Sequence, residues 1–171
     1  MVSKIKHGII ISLCFFLVAC QLNTADSATC RSLVSDIPPE RLNADLILST
    51  PEGKKNFTIQ EDLWFLADNY SQEILETMPD KDLEVYLWNG SEWVRIKNKL
   101  DYLSKVDRFG VKSPDDPGGH TYHVFYDTSL IQRPTRACII LRAIKGPENA
   151  RLAIGSYIEI EIRPSVDNID L

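Results

Sequence analysis

The chain predicts an all-β sandwich of about seven to nine short antiparallel strands, with room for one short helix. Three observations carry this reading. Runs rich in β-branched and aromatic residues recur between turn signals built from Pro, Gly and Asn. Residues 82–97 alternate between apolar and other side chains on both sides of Asn89-Gly90. Residues 137–144 are almost continuously apolar, as expected of a central strand covered on both faces.

The elements follow in order. Pro38-Pro39 marks an irregular entry. Residues 45–50 alternate weakly and stop at Pro51-Glu52-Gly53. Residues 61–68 are rich in large apolar side chains and stop at Asn69-Tyr70-Ser71. Two readings compete over residues 59–78. Thr58-Ile59-Gln60-Glu61 has the spacing of a helical capping box, which would set Leu63, Ala67, Tyr70 and Ile74 along one helix face, with Pro79 just past its end. Trp64, Phe65, Tyr70 and the turn-like Asn-Tyr-Ser favour two strands around Asn69 instead.

Residues 82–97 form the clearest element. Leu83, Val85 and Leu87 alternate with Glu84, Tyr86 and Trp88. Asn89-Gly90 follows as a two-residue hairpin signal, because both residues tolerate positive φ. Val94 and Ile96 then alternate with Trp93 and Arg95. A two-residue loop sets Val85 against Val94 and Leu83 against Ile96 on the core side. On the other side it sets Tyr86 against Trp93 and Glu84 against Arg95. Such cross-strand pairs contribute roughly 0.2–1 kcal/mol each.

Later strands are expected over residues 120–127, 137–144 and 157–163. In the last of these, Ile158, Ile160 and Ile162 alternate with Glu159, Glu161 and Arg163, so one side should be wet. Residues 165–171 read as a loose acidic tail. The hairpin over 83–97 and the late pair 137–144 and 157–163 resemble immunoglobulin-like sandwich domains of bacterial surface lipoproteins. That resemblance implies an immunoglobulin-like arrangement for residues 30–164. The antibody-type signature is absent, since no cysteine lies a short step before Trp88 and the spacing of Cys30 and Cys138 differs from it.

The start of the chain addresses location. Lys4 and Lys6 precede an apolar run from Gly8 to Val18, and small Ala19 precedes Cys20. An uncharged run of about 18 residues is short for a span of ~20 and fits an export signal. Leu17-Val18-Ala19-Cys20 resembles the lipobox of bacterial lipoproteins. The resemblance implies cleavage after residue 19, a diacylglycerol on the Cys20 sulfur and an acyl group on its amine. Several acyl chains hold a protein stably on a bilayer where one does not. Gln21 stands where Asp retains enteric lipoproteins at the inner membrane, which implies the outer membrane, facing periplasm or surface. An ordinary export leader with an incidental Cys20, and an uncleaved anchor helix, are the other readings of this stretch. Residues 20–29 form the lipidated cysteine and a polar tether, whose nine residues after Cys20 reach about 30 Å when extended.

Charge and cysteine content bound the rest. Of 171 residues, 24 are acidic and 19 basic; without residues 1–19, which include Lys4 and Lys6, 17 basic residues remain and the net charge is about −7. The remaining length suffices for one domain with its own core. The charge gives no electrostatic case for nucleic acid. Cys14 leaves with the leader and Cys20 carries lipid, which leaves Cys30 and Cys138 as an even pair in an exported protein. They are expected to form a disulfide, with two free buried thiols as the alternative.

Motifs for chemistry are few. Residues 113–120, with Asp107 and His123, gather carboxylates and imidazoles, but no calcium-loop spacing is present and a plain polar loop is expected, without a metal or other cofactor. In a strand, His120 and His123 would point to opposite faces. No Gly-x-Ser-x-Gly and no phosphate-cradling glycine loop occurs. Asn56-Phe57-Thr58, Asn69-Tyr70-Ser71 and Asn89-Gly90-Ser91 match the glycosylation triplet, which beside a lipobox reads as chance. The aromatic side of the hairpin is the best candidate site: Tyr86, Trp88 and Trp93, with Glu84 and Arg95 beside them, form either a binding face for a protein or glycan or a core surface under another layer.

The expected function is therefore non-enzymatic. It is a membrane-anchored lipoprotein whose sandwich binds an envelope protein or glycan. An envelope immunity or inhibitor protein, and a small envelope hydrolase using His120 or His123, are the rival readings.

Overall fold

The computed structural model describes residues 29–77, 83–97, 108–111 and 120–165. The leader, Cys20, tether residues 21–28, Asp107, loop residues 113–119 and tail residues 166–171 lie outside the described residues. In chain order the strands are β1 (Leu46–Ser49), β2 (Asn56–Thr58), β3 (Leu63–Asn69), β4 (Leu75–Thr77), β5 (Leu83–Trp88), β6 (Trp93–Ile96), β7 (Arg108–Phe109), β8 (His120–Val124), β9 (Thr135–Lys145) and β10 (Leu152–Arg163). They build two sheets around one apolar core, the sandwich expected from the sequence. The helical segments among the described residues are 3-10 turns, the longest being Cys30–Val34.

The smaller sheet runs β1-β3-β8, antiparallel throughout. In the larger sheet β10 pairs with β2 on one side and β9 on the other. On its far side β9 carries two strands in succession, β5 and then β4, and these hold β6 and β7. Among the described strands β2 pairs with β10 in parallel and the other strand pairs are antiparallel. The period of two decides which residues enter the core. Leu63, Phe65 and Ala67 of β3, with Tyr122 and Val124 of β8, share one buried cluster with Ala137, Ile139 and Leu141 of β9 and Ile160 and Ile162 of β10. Each large side chain so buried contributes about 1.5–3 kcal/mol.

The strand reading holds for residues 59–77, which carry β3 and β4 and no α-helix, while Met78 lies outside the described residues. The Glu61 half of the capping box nevertheless exists, with the Thr58 carbonyl rather than its hydroxyl on the return bond. The Thr58 N–H donates to Glu61 Oε2 at 2.8 Å and the Glu61 N–H donates to Thr58 O at 3.0 Å. The hydrogen bonds from Lys54 and from the Thr58 N–H hold the Glu61 carboxyl below its ordinary range. These bonds close a single turn. Helix does not propagate from it, because Leu63, Phe65 and Ala67 alternate into the core between β1 and β8.

The hairpin corrects the expected register. Val85 faces Ile96, Tyr86 faces Arg95, Leu87 faces Val94 and Trp88 faces Trp93. The loop thus has four residues, 89–92, rather than two. Asn89 is the cause: its Oδ1 accepts from the N–H groups of Ser91 and Glu92 and from Ser91 Oγ, each at 2.9 Å. This Asx turn widens the loop, and Gly90 takes φ 106° within it. A shift of two residues keeps every side chain on its expected face. One core expectation fails all the same. β6 is the edge strand beyond β5, and Val94 there is 42 % exposed while Val85 and Leu87 are buried.

β9 matches its reading: residues 137–141 and Ala143 are fully buried, lying between β10 and the β4/β5 side. β10 begins five residues earlier than expected, since Gly155 and Ser156 break the apolar alternation at its start.

Candidate functional site

The candidate face is the outer side of the larger sheet. Alternation places Glu84, Tyr86 and Trp88 of β5 there beside Trp93 and Arg95 of β6. Arg136, Cys138, Ile140 and Arg142 of β9 and Tyr157 and Glu159 of β10 share the same side. The N-terminal turn Cys30–Val34 crosses it. Cys30 is bonded to Cys138 across a sequence separation of 108 residues, so the expected disulfide is present. Cys30, Val34, Cys138 and Ile140 form a second buried cluster, against which Leu33, Leu42, Tyr86, Trp93 and Tyr157 pack.

The covered part contains a charge cluster that sequence reasoning missed. Glu84, on the face that the sequence leaves open between wet and covered, is 4 % exposed. Its Oε2 accepts from Arg142 Nε at 3.2 Å. Arg142 is itself buried; its Nη1 reaches both Asp36 oxygens at 2.8 and 3.0 Å, and Nη2 donates to Leu33 O at 2.9 Å. Burial opposes the Arg142 charge, but the hydrogen bonds and charges of Asp36 and Glu84 outweigh it and raise its pKa. Burial, followed by the Glu84 charge, raises the pKa of Tyr86. Arg95 Nη2 is 3.6 Å from Glu84 Oε1, so the predicted Glu84–Arg95 contact is made diagonally rather than directly across the hairpin. The overlooked signal was Arg142 itself, a charge inside an apolar run, which a central strand tolerates only when the charge is paired.

Toward the hairpin tip Trp93 still packs on the second buried cluster, while Trp88 lies beyond it. Trp88 and Trp93 meet edge to face with centroids 5.3 Å apart. The Arg136 guanidinium sits 5.8 Å from one ring and 5.2 Å from the other, while its Nε donates to Glu159. Such cation–π contacts contribute about 0.5–1 kcal/mol at exposed sites. The two indoles, braced by this arginine, are half-buried, and Arg95 beside them is exposed. Under the same hairpin a groove of about 600 Å³ opens, floored by Leu87, Val94, Ile96 and Leu130 with Arg133 at its rim.

The histidines are separated by the pleat of β8, as expected. His120 faces inward, 4.9 Å from the Tyr122 ring and 6.3 Å from Phe109, and His123 is exposed opposite Trp64. Among the described residues no group of three or more His, Cys, Asp or Glu side chains is placed to hold a metal ion. Burial lowers the His120 pKa below the ordinary value of 6.5. The sign of the consequence follows from linkage. Below pH 6.5 the unfolded chain binds a proton that folded His120 resists, so stability falls as the pH drops from 6.5 through the folded pKa. His120→Phe should lessen the loss of urea midpoint between pH 7.5 and pH 5, and an unchanged loss would show that His120 contributes nothing to it.

The Asn69-Tyr70-Ser71 triplet is closed to modification, because Asn69 is 2 % exposed and its amide is spent on Glu73 O and Phe109 O. Comparison with protein-family models, with curated proteins and with solved structures finds no match for this chain.

Proposed function

We propose that this chain is a bacterial lipoprotein, anchored through acylated Cys20 to the envelope, at the outer membrane, whose sandwich domain binds an envelope protein or glycan without catalysing a reaction. The observation that carries the reading is Leu17-Val18-Ala19-Cys20 at the end of an apolar leader, followed by a polar tether. The Cys30–Cys138 bridge supports it, since such a bond persists in oxidising compartments. The Trp88 ring with Arg95 is the proposed contact surface, because Trp88 is braced edge to face on Trp93 and stands outside the cluster that the N-terminal segment forms with Trp93 and Tyr86.

Cys20→Ser tests the anchor. Labelled fatty acid should be incorporated by the parent chain and lost entirely from the variant; labelling that persists rules the anchor out. Crosslinking in the native envelope tests the surface. Trp88→Ala and Arg95→Glu should each lower capture of the crosslinked component severalfold, and capture indifferent to both would place the contact elsewhere on the domain.

A further inference from the structure

The segment 30–43 belongs to neither sheet yet covers the outer face of the larger one, and its two ends are held differently. The far end is bound through the backbone. Leu42 pairs with Gly155, and the Asn43 N–H donates to Gly155 O at 2.9 Å. Asn43 Oδ1 accepts from Ser156 Oγ at 2.7 Å and from the Tyr157 N–H at 2.9 Å. Ile37, fully buried, occupies the space over Gly155: a Cβ at that position would come within 2.7 Å of Ile37 Cδ1. The near end is a 3-10 turn whose backbone bonds among the described residues are local, Ser32 N–H to Thr29 O and Ile37 N–H to Val34 O. What ties this end to the sheet is side-chain chemistry. Cys30 bridges to Cys138, Arg142 holds Asp36 and Leu33 O, and Val34 packs beside Ile140. Pro38-Pro39 separates the two ends.

We propose that residues 30–36 are a strap that oxidation latches. While Cys30 and Cys138 are thiols, the strap stands off the sheet about Pro38-Pro39 and leaves Tyr86, Trp93, Ile140 and Tyr157 uncovered. Closure is thiol–disulfide exchange with the disulfide of a dithiol carrier. The Cys30 thiolate attacks one carrier sulfur and displaces the other as a thiolate. The Cys138 thiolate then attacks Cys30 Sγ in the mixed disulfide and releases the carrier's second thiolate. Two electrons and two protons leave this chain, and the carrier gains them as a dithiol. Once the strap is down, Cys30 and Cys138 are 1 % and 0 % exposed, so the reverse exchange requires the strap to lift first. The latch needs an oxidising partner but no lipid at Cys20, so its test is separate from that of the anchor.

The test is native-state trypsin digestion of the full chain at the Arg31–Ser32 bond. In the closed strap Arg31 is occupied internally, its Nη1 donating to Val34 O at 2.6 Å and its Nη2 to Ile37 O at 3.1 Å. With Cys30→Ala and Cys138→Ala together, cleavage after Arg31 should run roughly tenfold faster or more than in the oxidised parent, while the sandwich from β1 to β10 stays intact. Cys30→Ala alone, which keeps Cys138 in its packing, should give the same pattern. Parent-like protection of Arg31 in both variants would overturn the latch. Digestion of the strap and both sheets together would overturn it equally, because the bridge would then hold the whole sandwich and not the strap.

Discussion

Arg142→Met is expected to cost about 3–5 kcal/mol, read as a lower urea midpoint with an unchanged slope. The reason is the charge left behind. Glu84 is buried, and Arg142 Nε at 3.2 Å is its close cationic partner. The exposed Arg95, 3.6 Å from the other carboxylate oxygen, softens the loss and places the effect toward the lower end of that range. Asp36 needs no such compensation, since its side chain is largely in water. Adding Glu84→Leu to Arg142→Met should therefore recover most of the stability, because a buried ion pair replaced as a unit by apolar groups leaves no uncompensated charge. A single variant within about 1 kcal/mol of the parent would mean that water reaches Glu84 and that the cluster does not fasten the strap.

The same cluster marks where sequence legibility ends. Strands with a sustained signal could be read: β9 from its apolar run, β5 and β6 from their alternation, and β3 from its large apolar residues. The Cys30–Cys138 pair could be read because few cysteines remain once the leader is set aside. β2, β4 and β7, of two or three residues each, are too short to show a period. The strap was illegible for a different reason. Val34, Ile37 and Leu42 stand at i, i+3 and i+8, a helical rather than a strand spacing, and Pro38-Pro39 interrupts them, so nothing local says that they lie on a sheet. Without the strap, the outer face of β5 and β6 could be read only as wet or as core. It is partly both: Glu84 is buried against Arg142, whose guanidinium also holds the strap, and the strap packs on Tyr86 and Trp93, while Arg95 stays exposed. The register error has an equally local origin. Asn89-Gly90 reads as a two-residue loop, but the Asn89 side chain accepts three hydrogen bonds by closing a loop of four.

Asn69→Asp should cost about 3 kcal/mol or more at neutral pH, although it changes one atom of the side chain. Asn69 ends β3 in the core, and its amide is fully used. Nδ2 donates to Glu73 O at 2.8 Å and to Phe109 O at 3.0 Å, while Oδ1 accepts from the Ser71 N–H at 2.9 Å and from Ser71 Oγ at 2.6 Å. These bonds tie the turn after β3 to β7. An aspartate keeps both acceptor contacts but aims a carboxylate at two carbonyl oxygens, whose only relief is protonation. The folded-state pKa of the new carboxyl should therefore rise above the unfolded value of about 3.9. The penalty is then complete above the raised folded pKa and shrinks as the pH falls through it toward the unfolded value, where a protonated oxygen restores one donor. Asn69→Leu, which removes donors and acceptors alike, should lose stability by an amount that does not vary with pH relative to the parent. Urea midpoints of the three proteins at pH 7 and pH 4.5 separate the cases. An Asp variant whose deficit is the same at both pH values would show that Nδ2 does not face Glu73 and Phe109.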